Sequence, residues 1–332
     1  MAVTAAGLPA RRRLAVLPTP LVSAPRLAEA LSAGPLYLKR DDLTGFAFGG
    51  NKARTLEFLL AAATAEGADT LLTGGAPGSN FCAAAAAGAR LAGLSCELVI
   101  AGKRAPAGPA LALAQSWGAA VRWTGDPDRT SVDTGLRRAA AGLAAAGRRP
   151  YLIPRGGAAA AGAVGYALAA FELHAQLAER GIGAARVVVA VGSGTTLAGL
   201  VAGNVLLGRP LNLLGGSASR PPAQAAGQVL ALARECARLL SGAVPPGAAG
   251  PAPEITEADV TVADVRGPGH GVPSPAAAAV AELALSMEGL VIDPVYTAKA
   301  LTLVTGCGGE STVFWHTGGL LDAVALAEAA HR

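Results

Sequence analysis

Short apolar runs alternate with alanine-rich stretches along most of this chain of 332 residues. The runs at 70–73, 96–100, 120–123 and 151–153 are rich in leucine, valine and isoleucine, and the segments between them have helical composition. This alternation is typical of parallel strands joined by helices, because a parallel connection needs a long crossover. We therefore predict an α/β fold in which helices cover both faces of open, twisted, mainly parallel sheets.

A glycine-rich passage near residues 156–165 divides the alternation into two parts. Residues 1–50 and 162–332 are predicted to form a large domain, and residues 51–161 a small domain. The elements predicted beyond the passage are strands at 186–191, 211–214 and 312–315, helices at 197–207 and 223–240, a surface loop at 241–253 and a C-terminal helix from Leu320.

Charge and cysteine content argue against several classes of protein. The net charge is only +4, and the cluster Arg11-Arg12-Arg13 lacks the aromatic residues of a nucleic-acid surface, so it is interpreted as a solvated arm. The four cysteines have no paired spacing, which predicts neither disulfides nor a metal site. Residues 1–21 lack the apolar core of a signal peptide, and runs such as 186–192 are too short to span a bilayer. We expect a cytoplasmic protein without nucleic-acid or membrane partners.

Lys52 lies between the glycine pair Gly49-Gly50 and the apolar run 56–60. A lysine at such a helix entrance can project its amine into a cleft, where it can form a Schiff base with an aldehyde cofactor. Taken alone, the pattern is better explained by a solvated lysine, because lysine side chains are usually exposed. The function of Lys52 therefore depends on which other segments accompany it.

The loop Gly192-Ser193-Gly194-Thr195-Thr196 follows an apolar run and opens a predicted helix. Amides at a helix N-terminus attract anions, and the hydroxyls of Ser193, Thr195 and Thr196 suit a phosphate ester. Leu197 stands where a dinucleotide loop has glycine, no ribose-binding acid follows, and the lysine of a nucleotide-triphosphate loop is absent. One phosphate fits better than a dinucleotide, and a simple capped turn is the alternative.

The pair Ser79-Asn80 follows Gly74-Gly75 at another predicted strand-to-helix junction. Ser79 can carry a proton or contact a substrate, and Asn80 can orient a planar ring by hydrogen bonding. By themselves these residues are more typical of a helix N-cap. Together with Lys52 and the 192–196 loop, they predict a site for pyridoxal phosphate.

Five segments in this order resemble the fold-type II pyridoxal-phosphate enzymes, in the branch that holds 1-aminocyclopropane-1-carboxylate deaminase and D-cysteine desulfhydrase. The resemblance extends from Pro18 to Ala329. It implies a tryptophan synthase β-like fold with the cofactor between the two domains, the larger of which binds it. The segments that carry the resemblance are 38–52, 153–157, 162–166, 288–296 and 316–319.

The resemblance also implies roles for individual residues. Lys52 would bind the cofactor as a Schiff base and carry the α-proton, and the 192–196 loop would bind its phosphate. Asn80 and Asn51 would hydrogen-bond near the phenolic oxygen of the cofactor, while Ser79 and Tyr296 would face the substrate.

Two of these segments also have purely structural explanations. Without the resemblance, Tyr296 is better explained as a half-buried tyrosine at a helix start after Pro294. His316, at the end of an apolar run, is as well explained by a core position as by catalysis.

Thr297 and Thr317 separate the reactions within the branch. Enzymes that open the cyclopropane ring resemble one another in having glutamate and leucine at these positions. A hydroxyl near the pyridine nitrogen, which we assign to Thr317 with Thr297 as the alternative, leaves that nitrogen neutral and the ring a weaker electron sink. A weaker sink suffices for a good leaving group, so the threonines favour β-elimination of a D-cysteine-like amino acid to pyruvate, ammonia and sulfide.

Three positions depart from the pattern of the branch. Gly78 replaces a glutamine, Phe81 a histidine and His270 a tyrosine, and the last two are assigned to the substrate pocket beside Ser79, Asn80, Tyr296 and Thr297. Aminocyclopropane-carboxylate deamination and β-elimination or β-replacement on another amino acid therefore remain alternatives, as does a non-catalytic binding protein. A symmetric homodimer is the expected assembly.

Overall fold

The computed structural model describes residues 7–241, 254–269 and 271–324, and within them ten strands form two sheets. The smaller sheet has the order β5-β4-β3-β6, and every neighbouring pair is parallel. Its strands are β3 (Thr70–Gly75), β4 (Ser95–Ile100), β5 (Ala120–Trp123) and β6 (Pro150–Leu152).

The larger sheet has six strands in the order β1-β2-β10-β7-β8-β9. Only the edge pair β1–β2 is antiparallel, so the prediction of mainly parallel sheets is confirmed. Its strands are β1 (Leu21–Ser23), β2 (Leu36–Arg40), β7 (Ala185–Val191), β8 (Leu211–Ser217), β9 (Thr261–Asp264) and β10 (Thr312–His316). The division into domains at 51–161 stays a prediction, although each sheet has a core cluster of its own.

Helices connect the strands of both sheets as the alternation predicted. A further helix begins at Leu320 and is described to residue 324. The others are α1 (Pro25–Ala30), α2 (Lys52–Ala65), α3 (Asn80–Ala92), α4 (Pro109–Ser116), α5 (Ser131–Ala145), α6 (Ala160–Ala178), α7 (Thr195–Leu206), α8 (Pro222–Leu240), α9 (Pro275–Glu288) and α10 (Thr297–Leu301).

Some element boundaries differ from those predicted. Strand β3 continues through Gly74-Gly75, because a Cβ at Gly74 would lie 2.3 Å from the Val99 carbonyl oxygen and only glycine permits this pairing. Strand β8 likewise extends to Ser217, and α7 begins at Thr195 instead of residue 197. The loop predicted at 241–253 lies, apart from Ser241, outside the described residues.

Helix α6 packs against α2, α7 and α8 in the middle of the molecule. With its lead-in, residues 155–178, it is long and apolar enough by length and composition to cross a membrane, with a mean hydropathy of 1.3. Its side chains Tyr166 and Leu173 are fully buried against protein. The packing is that of a core helix, whose apolar composition serves the interior of the fold.

Candidate active site

A cavity of about 290 Å³ lies where the carboxyl ends of strands from both sheets meet. Ligands of open α/β sheets bind beyond these strand ends. Of the residues predicted for the site, those that line the cavity are Asn51, Lys52, Ser79, Asn80, Phe81, Gly192, Ser193, Gly194, Thr196, Tyr296 and Thr317.

Lys52 opens helix α2 at a tightly held turn. Gly49 and Gly50 have φ values of +79° and +95°, and a Cβ at Gly49 would lie 2.2 Å from the Asp42 carbonyl oxygen. The Asn51 amide donates to the Thr317 carbonyl oxygen at 2.9 Å, which ties this turn to the end of β10. Burial lowers the pKa of the Lys52 amine to about 8, and the Asp293 carboxylate partly opposes the shift. Near neutral pH a much larger fraction of this amine is therefore neutral and nucleophilic than in an exposed lysine.

The 192–196 loop joins β7 to the N-terminus of α7, where the helix dipole favours an anion. Gly194 has a φ of +90°, and a Cβ at Gly192 would lie 3.1 Å from the Tyr296 ring, so both glycines keep the loop close to its neighbours. Thr196 Oγ1 accepts a hydrogen bond from Asn51 Nδ2 at 3.0 Å, which leaves the proton of its hydroxyl available to an anion in the cavity.

The other two hydroxyls of this loop are engaged differently. Ser193 Oγ donates to the Gly156 carbonyl oxygen at 3.0 Å, and Thr195 Oγ1 donates to that of Gly157 at 2.9 Å. Thr195 is buried and does not line the cavity. Both side chains hold the 155–157 turn against the loop.

Ser79 and Asn80 begin helix α3 at the opposite wall. The Ser79 hydroxyl accepts the Cys82 amide at 3.3 Å, as an N-cap does. Asn80 Nδ2 donates to Asp322 Oδ2 at 2.5 Å. The Asn80 Oδ1 atom is buried without a hydrogen-bond partner among the described residues. An unsatisfied buried amide oxygen in a cavity wall indicates a place for a bound donor.

Tyr296 stands at the start of α10, beside the buried carboxylate of Asp293. That carboxylate accepts the amides of Val295, Tyr296 and Thr297 at 3.0, 2.7 and 3.0 Å, which fixes the turn. Burial raises the pKa of the Tyr296 hydroxyl to about 12, so the hydroxyl keeps its proton at neutral pH.

The two threonines at this end of the site differ in access. Thr317 lines the cavity, whereas Thr297 is fully buried and lies behind it, with 3.3 Å between their hydroxyl oxygens. Neighbouring His316 is also buried. Its Nδ1 accepts the Gly318 amide at 3.2 Å, so Nε2 donates to the Val291 carbonyl oxygen at 3.0 Å, and His316 has the contacts of a core residue.

Two predicted pocket residues depart from the branch pattern, and the structure describes only one of them. Phe81 lines the cavity and also packs in the core of the smaller sheet, where its ring is so close to Gly157 that a Cβ there would lie 2.6 Å from it. His270 lies outside the described residues.

Five charged residues of the cavity wall were not predicted from the sequence. They are Arg129, Arg155, Arg220, Asp293 and Asp322. The three arginines share one signal, because each follows the carboxyl end of a strand, β5, β6 or β8. In a parallel sheet these ends meet at one edge, so the loop positions alone could have indicated them.

Comparison with known proteins identifies a family. The family described as pyridoxal-phosphate dependent enzyme matches residues 12–318. The chain is 38% identical over 326 residues to a D-cysteine desulfhydrase of Salmonella paratyphi B, covering 93% of this chain and 94% of the relative. A D-cysteine desulfhydrase of Salmonella newport matches with the same identity and coverage.

Solved structures agree with this assignment. A structure described as an ACC deaminase homologue superposes with a TM-score of 0.83 at 32% identity over 96% of both chains. A fungal L-serine ammonia-lyase from Rhizomucor miehei gives 0.64 at 17% identity over 93% of this chain and 95% of its own, and supports the fold alone.

Proposed function

Because this chain belongs to the family of pyridoxal-phosphate dependent enzymes, we propose that it is a lyase for α,β-elimination and deamination of a small amino acid. A D-cysteine-like substrate, giving pyruvate, ammonia and sulfide, is the favoured one, in line with the D-cysteine desulfhydrase relatives. The observation that carries the proposal is the placing of the Lys52 amine and the 192–196 anion cradle in one cavity.

The cavity fits this cofactor in three respects. It offers an amine whose pKa is about 8, a helix N-terminus with the free Thr196 hydroxyl proton, and the unsatisfied oxygen of Asn80. Pyridoxal phosphate supplies an aldehyde for the amine and a ring that withdraws electrons from the α-carbon of a bound amino acid.

The residues of the chain would divide the remaining work. Lys52 would hold the cofactor and then take the α-proton, and the Ser79 hydroxyl at the N-terminus of α3 would bind the substrate carboxylate or relay a proton. Tyr296, whose hydroxyl keeps its proton, would face the reacting carbon of the substrate. Asn51 would orient Thr196 toward the phosphate, and Asn80 would contact the ring substituent.

The Thr317 hydroxyl is the group that we assign to the pyridine nitrogen, since Thr297 is buried behind it. A neutral hydroxyl there keeps the nitrogen largely unprotonated, which suits elimination of a good leaving group. Deamination of 1-aminocyclopropane-1-carboxylate is the second candidate, favoured by the likeness to the ACC deaminase homologue.

Two measurements test the proposal. The purified protein should show the visible absorption of lysine-bound pyridoxal phosphate, and borohydride reduction followed by peptide mass spectrometry should locate the cofactor on Lys52. Lys52→Ala should abolish both signals, whereas Lys103→Ala, in an exposed loop, should preserve them. A protein that takes up no cofactor, or binds it at another lysine, would overturn the proposal.

An assay of D- and L-cysteine and aminocyclopropane carboxylate for ammonia and sulfide then separates the two candidates. Sulfide and ammonia from D-cysteine support the first. Ammonia from the cyclopropane substrate without activity on cysteine would favour the second.

We also infer a homodimer in the cytoplasm. Two-fold dimers are the commonest assemblies of soluble enzymes, and the four cysteines are free thiols, three of them buried, as expected in a reducing compartment. Light scattering after size-exclusion chromatography tests the assembly.

A further inference from the structure

Three guanidinium groups line the same cavity as Lys52 and Tyr296. They belong to Arg129, Arg155 and Arg220, which follow strands of both sheets. The substrate of the proposed reaction needs one anion contact for its α-carboxylate, and the cofactor phosphate has the 192–196 cradle. Three arginines therefore exceed what these two anions need.

The charges of these arginines are not all compensated by the protein. Arg155 forms a two-pronged ion pair with Asp133, at 2.7 and 2.8 Å. Among the described residues, the Arg220 side chain donates only to the neutral Gln228 side chain, and Arg129 has no carboxylate within ion-pair distance. The acids of the wall are engaged elsewhere, since Asp293 holds the turn before α10 and Asp322 accepts from Asn80.

The pKa shifts in the cluster agree with an excess of positive charge. The pKa of Arg220 is lowered by burial, and the nearby positive charges of Arg129 and Arg155 lower it further. The charges of Arg129 and Arg220 also oppose the rise in the pKa of the Tyr296 hydroxyl. The positive charge therefore lies near the residue assigned to the reacting carbon. Arg129 and Arg220 are half-buried in the cavity wall. Guanidiniums without acidic partners bind carboxylate, sulfonate or phosphate effectively.

We propose that Arg129 and Arg220 form a subsite for an anionic group on the β-carbon of the substrate, and that the enzyme acts on amino acids whose β-substituent is a phosphate ester or a sulfonate. This inference rests on the proposed function, and it names the substrate class of the same site. It places the second negative charge of the substrate opposite the arginines while Ser79 faces the α-carboxylate.

The reaction balances without an oxidant or reductant. The Cα–H bond breaks and its proton passes to the Lys52 amine, a Cα=Cβ bond forms, and the bond from Cβ to the substituent breaks so that phosphate or sulfite leaves with the electron pair. The released 2-aminoacrylate takes up one water and gives pyruvate and ammonia. The arginines stabilise the charge that the leaving group carries away, as they would for the hydrosulfide of cysteine.

Matched substrates test the subsite in the holoenzyme. 3-Chloroalanine has a neutral β-substituent, whereas O-phosphoserine and cysteic acid have anionic ones and distinguish phosphate from sulfite as the leaving group. Each is assayed in both stereoisomers for pyruvate. We expect kcat/KM to be higher for an anionic substrate than for 3-chloroalanine.

Arg129→Met and Arg220→Met should each lower the ratio of kcat/KM for the anionic substrate to that for 3-chloroalanine by about 10- to 100-fold. Arg122→Met, an exposed arginine on β5, is the control and should leave the ratio unchanged.

A second measurement does not depend on turnover. In the holoenzyme the phosphate of the cofactor occupies the 192–196 loop. Binding of inorganic phosphate, measured by calorimetry, therefore reports a separate anion site. Its dissociation constant should rise by about tenfold or more in Arg129→Met and Arg220→Met, while cofactor occupancy, measured by absorbance, stays that of the wild type.

The outcomes are distinct. Pyruvate from 3-chloroalanine but from no anionic substrate would overturn the subsite and leave the proposed function intact. If both variants lose cofactor occupancy while the ratio of the kcat/KM values is unchanged, the arginines bind the cofactor phosphate. This result would also overturn the subsite. No pyruvate from any substrate, D-cysteine included, would overturn the proposed function itself.

Discussion

The Lys52 amine is a weaker base than an exposed lysine, since burial lowers its pKa to about 8 against the opposing charge of Asp293. Only the neutral amine attacks an aldehyde, and the neutral fraction grows as the pH rises toward the pKa. The rate constant for uptake of pyridoxal phosphate by the apoprotein should therefore rise about tenfold per pH unit below about pH 8 and level off above it. Stopped-flow absorbance measures this profile.

A matched variant identifies the cause of that profile. Asp293→Asn removes the carboxylate that raises the pKa of Lys52, so uptake should level off at a lower pH than in the wild type. A rate that does not depend on pH, or a profile that moves to higher pH in the variant, would contradict this account.

Asp322 is a second titrating residue of the cavity wall. Burial, with a smaller contribution from the charge of Asp293, raises its pKa to about 6. An aspartate whose pKa is higher in the folded than in the unfolded state destabilises the fold as it ionises, here between about pH 4 and 6. Asp322→Asn should therefore be more stable than the wild type above pH 6, by on the order of 2 kcal/mol, and equally stable near pH 4. Urea unfolding at about pH 4 and 7.5 tests this, and a difference that does not change with pH would contradict it.

Site residues that stand in recognisable motifs could be predicted from the sequence. Those that reach the site only through the arrangement of the sheets could not. Lys52 and Ser79 stand at glycine-marked turns that the sequence shows, whereas the role of Tyr296 came from the family resemblance, and all three line the cavity. Arg129 and Arg220 stand in loops where a solvated arginine is the ordinary expectation. Only the register of two sheets, which involves contacts between distant segments, brings them to the same place.

At the scale of elements, glycines set how closely α6 and α7 approach. A Cβ at Gly199 would lie 2.2 Å from the Ala163 carbonyl oxygen, and one at Gly203 would lie 2.4 Å from that of Ala167. These backbone atoms cannot move without separating two buried helices. Gly199→Ala should therefore lower the free energy of unfolding by about 3 kcal/mol, at the upper end of the typical cost of overpacking a core.

The matched control is Gly227 in α8, where a Cβ would meet nothing within 4 Å. Gly227→Ala should stabilise the protein by about 0.5 to 1 kcal/mol, because alanine loses less backbone entropy in a helix. Urea unfolding of the two variants measures both effects. Equal effects of the same sign would show that helix propensity, and not the close crossing, decides the result.

The use of glycine for close packing also explains why the sequence could not indicate where some strands end. Glycine pairs were interpreted as the ends of β3 and β8, yet both strands continue through them. In β8 a Cβ at Gly215 would lie 2.6 Å from a Leu197 methyl group of α7, so the glycine serves packing and not a turn. A single sequence does not distinguish these two uses of glycine, whereas the alternation of strands and helices depends on local composition and was predicted correctly.

At the scale of the molecule, one buried polar network connects the larger sheet to α2 and α6. The Arg54 guanidinium donates to both Asp41 oxygens at 3.0 Å and to Glu172 at 2.8 and 2.9 Å. Lys39 on β2 also contacts Glu172, and the Tyr166 hydroxyl of α6 donates to Asp41 at 2.6 Å. Because the Asp41 carbonyl oxygen accepts the Gly50 amide at 3.1 Å, this network lies directly behind the turn that presents Lys52.

Removing the central cation of this network should weaken the whole molecule. Arg54→Met leaves the buried carboxylate of Asp41 and the partly buried carboxylate of Glu172 without their main partner. A broken buried pair typically costs about 3 to 5 kcal/mol of stability. Arg122→Met is the control, since the Arg122 side chain is 58% exposed and its pair with Glu97 should contribute less than about 1 kcal/mol. Urea unfolding of the apoprotein near neutral pH compares the two. A loss in Arg54→Met no larger than in Arg122→Met would show that the network does not stabilise the connection between the larger sheet and the helix that carries Lys52.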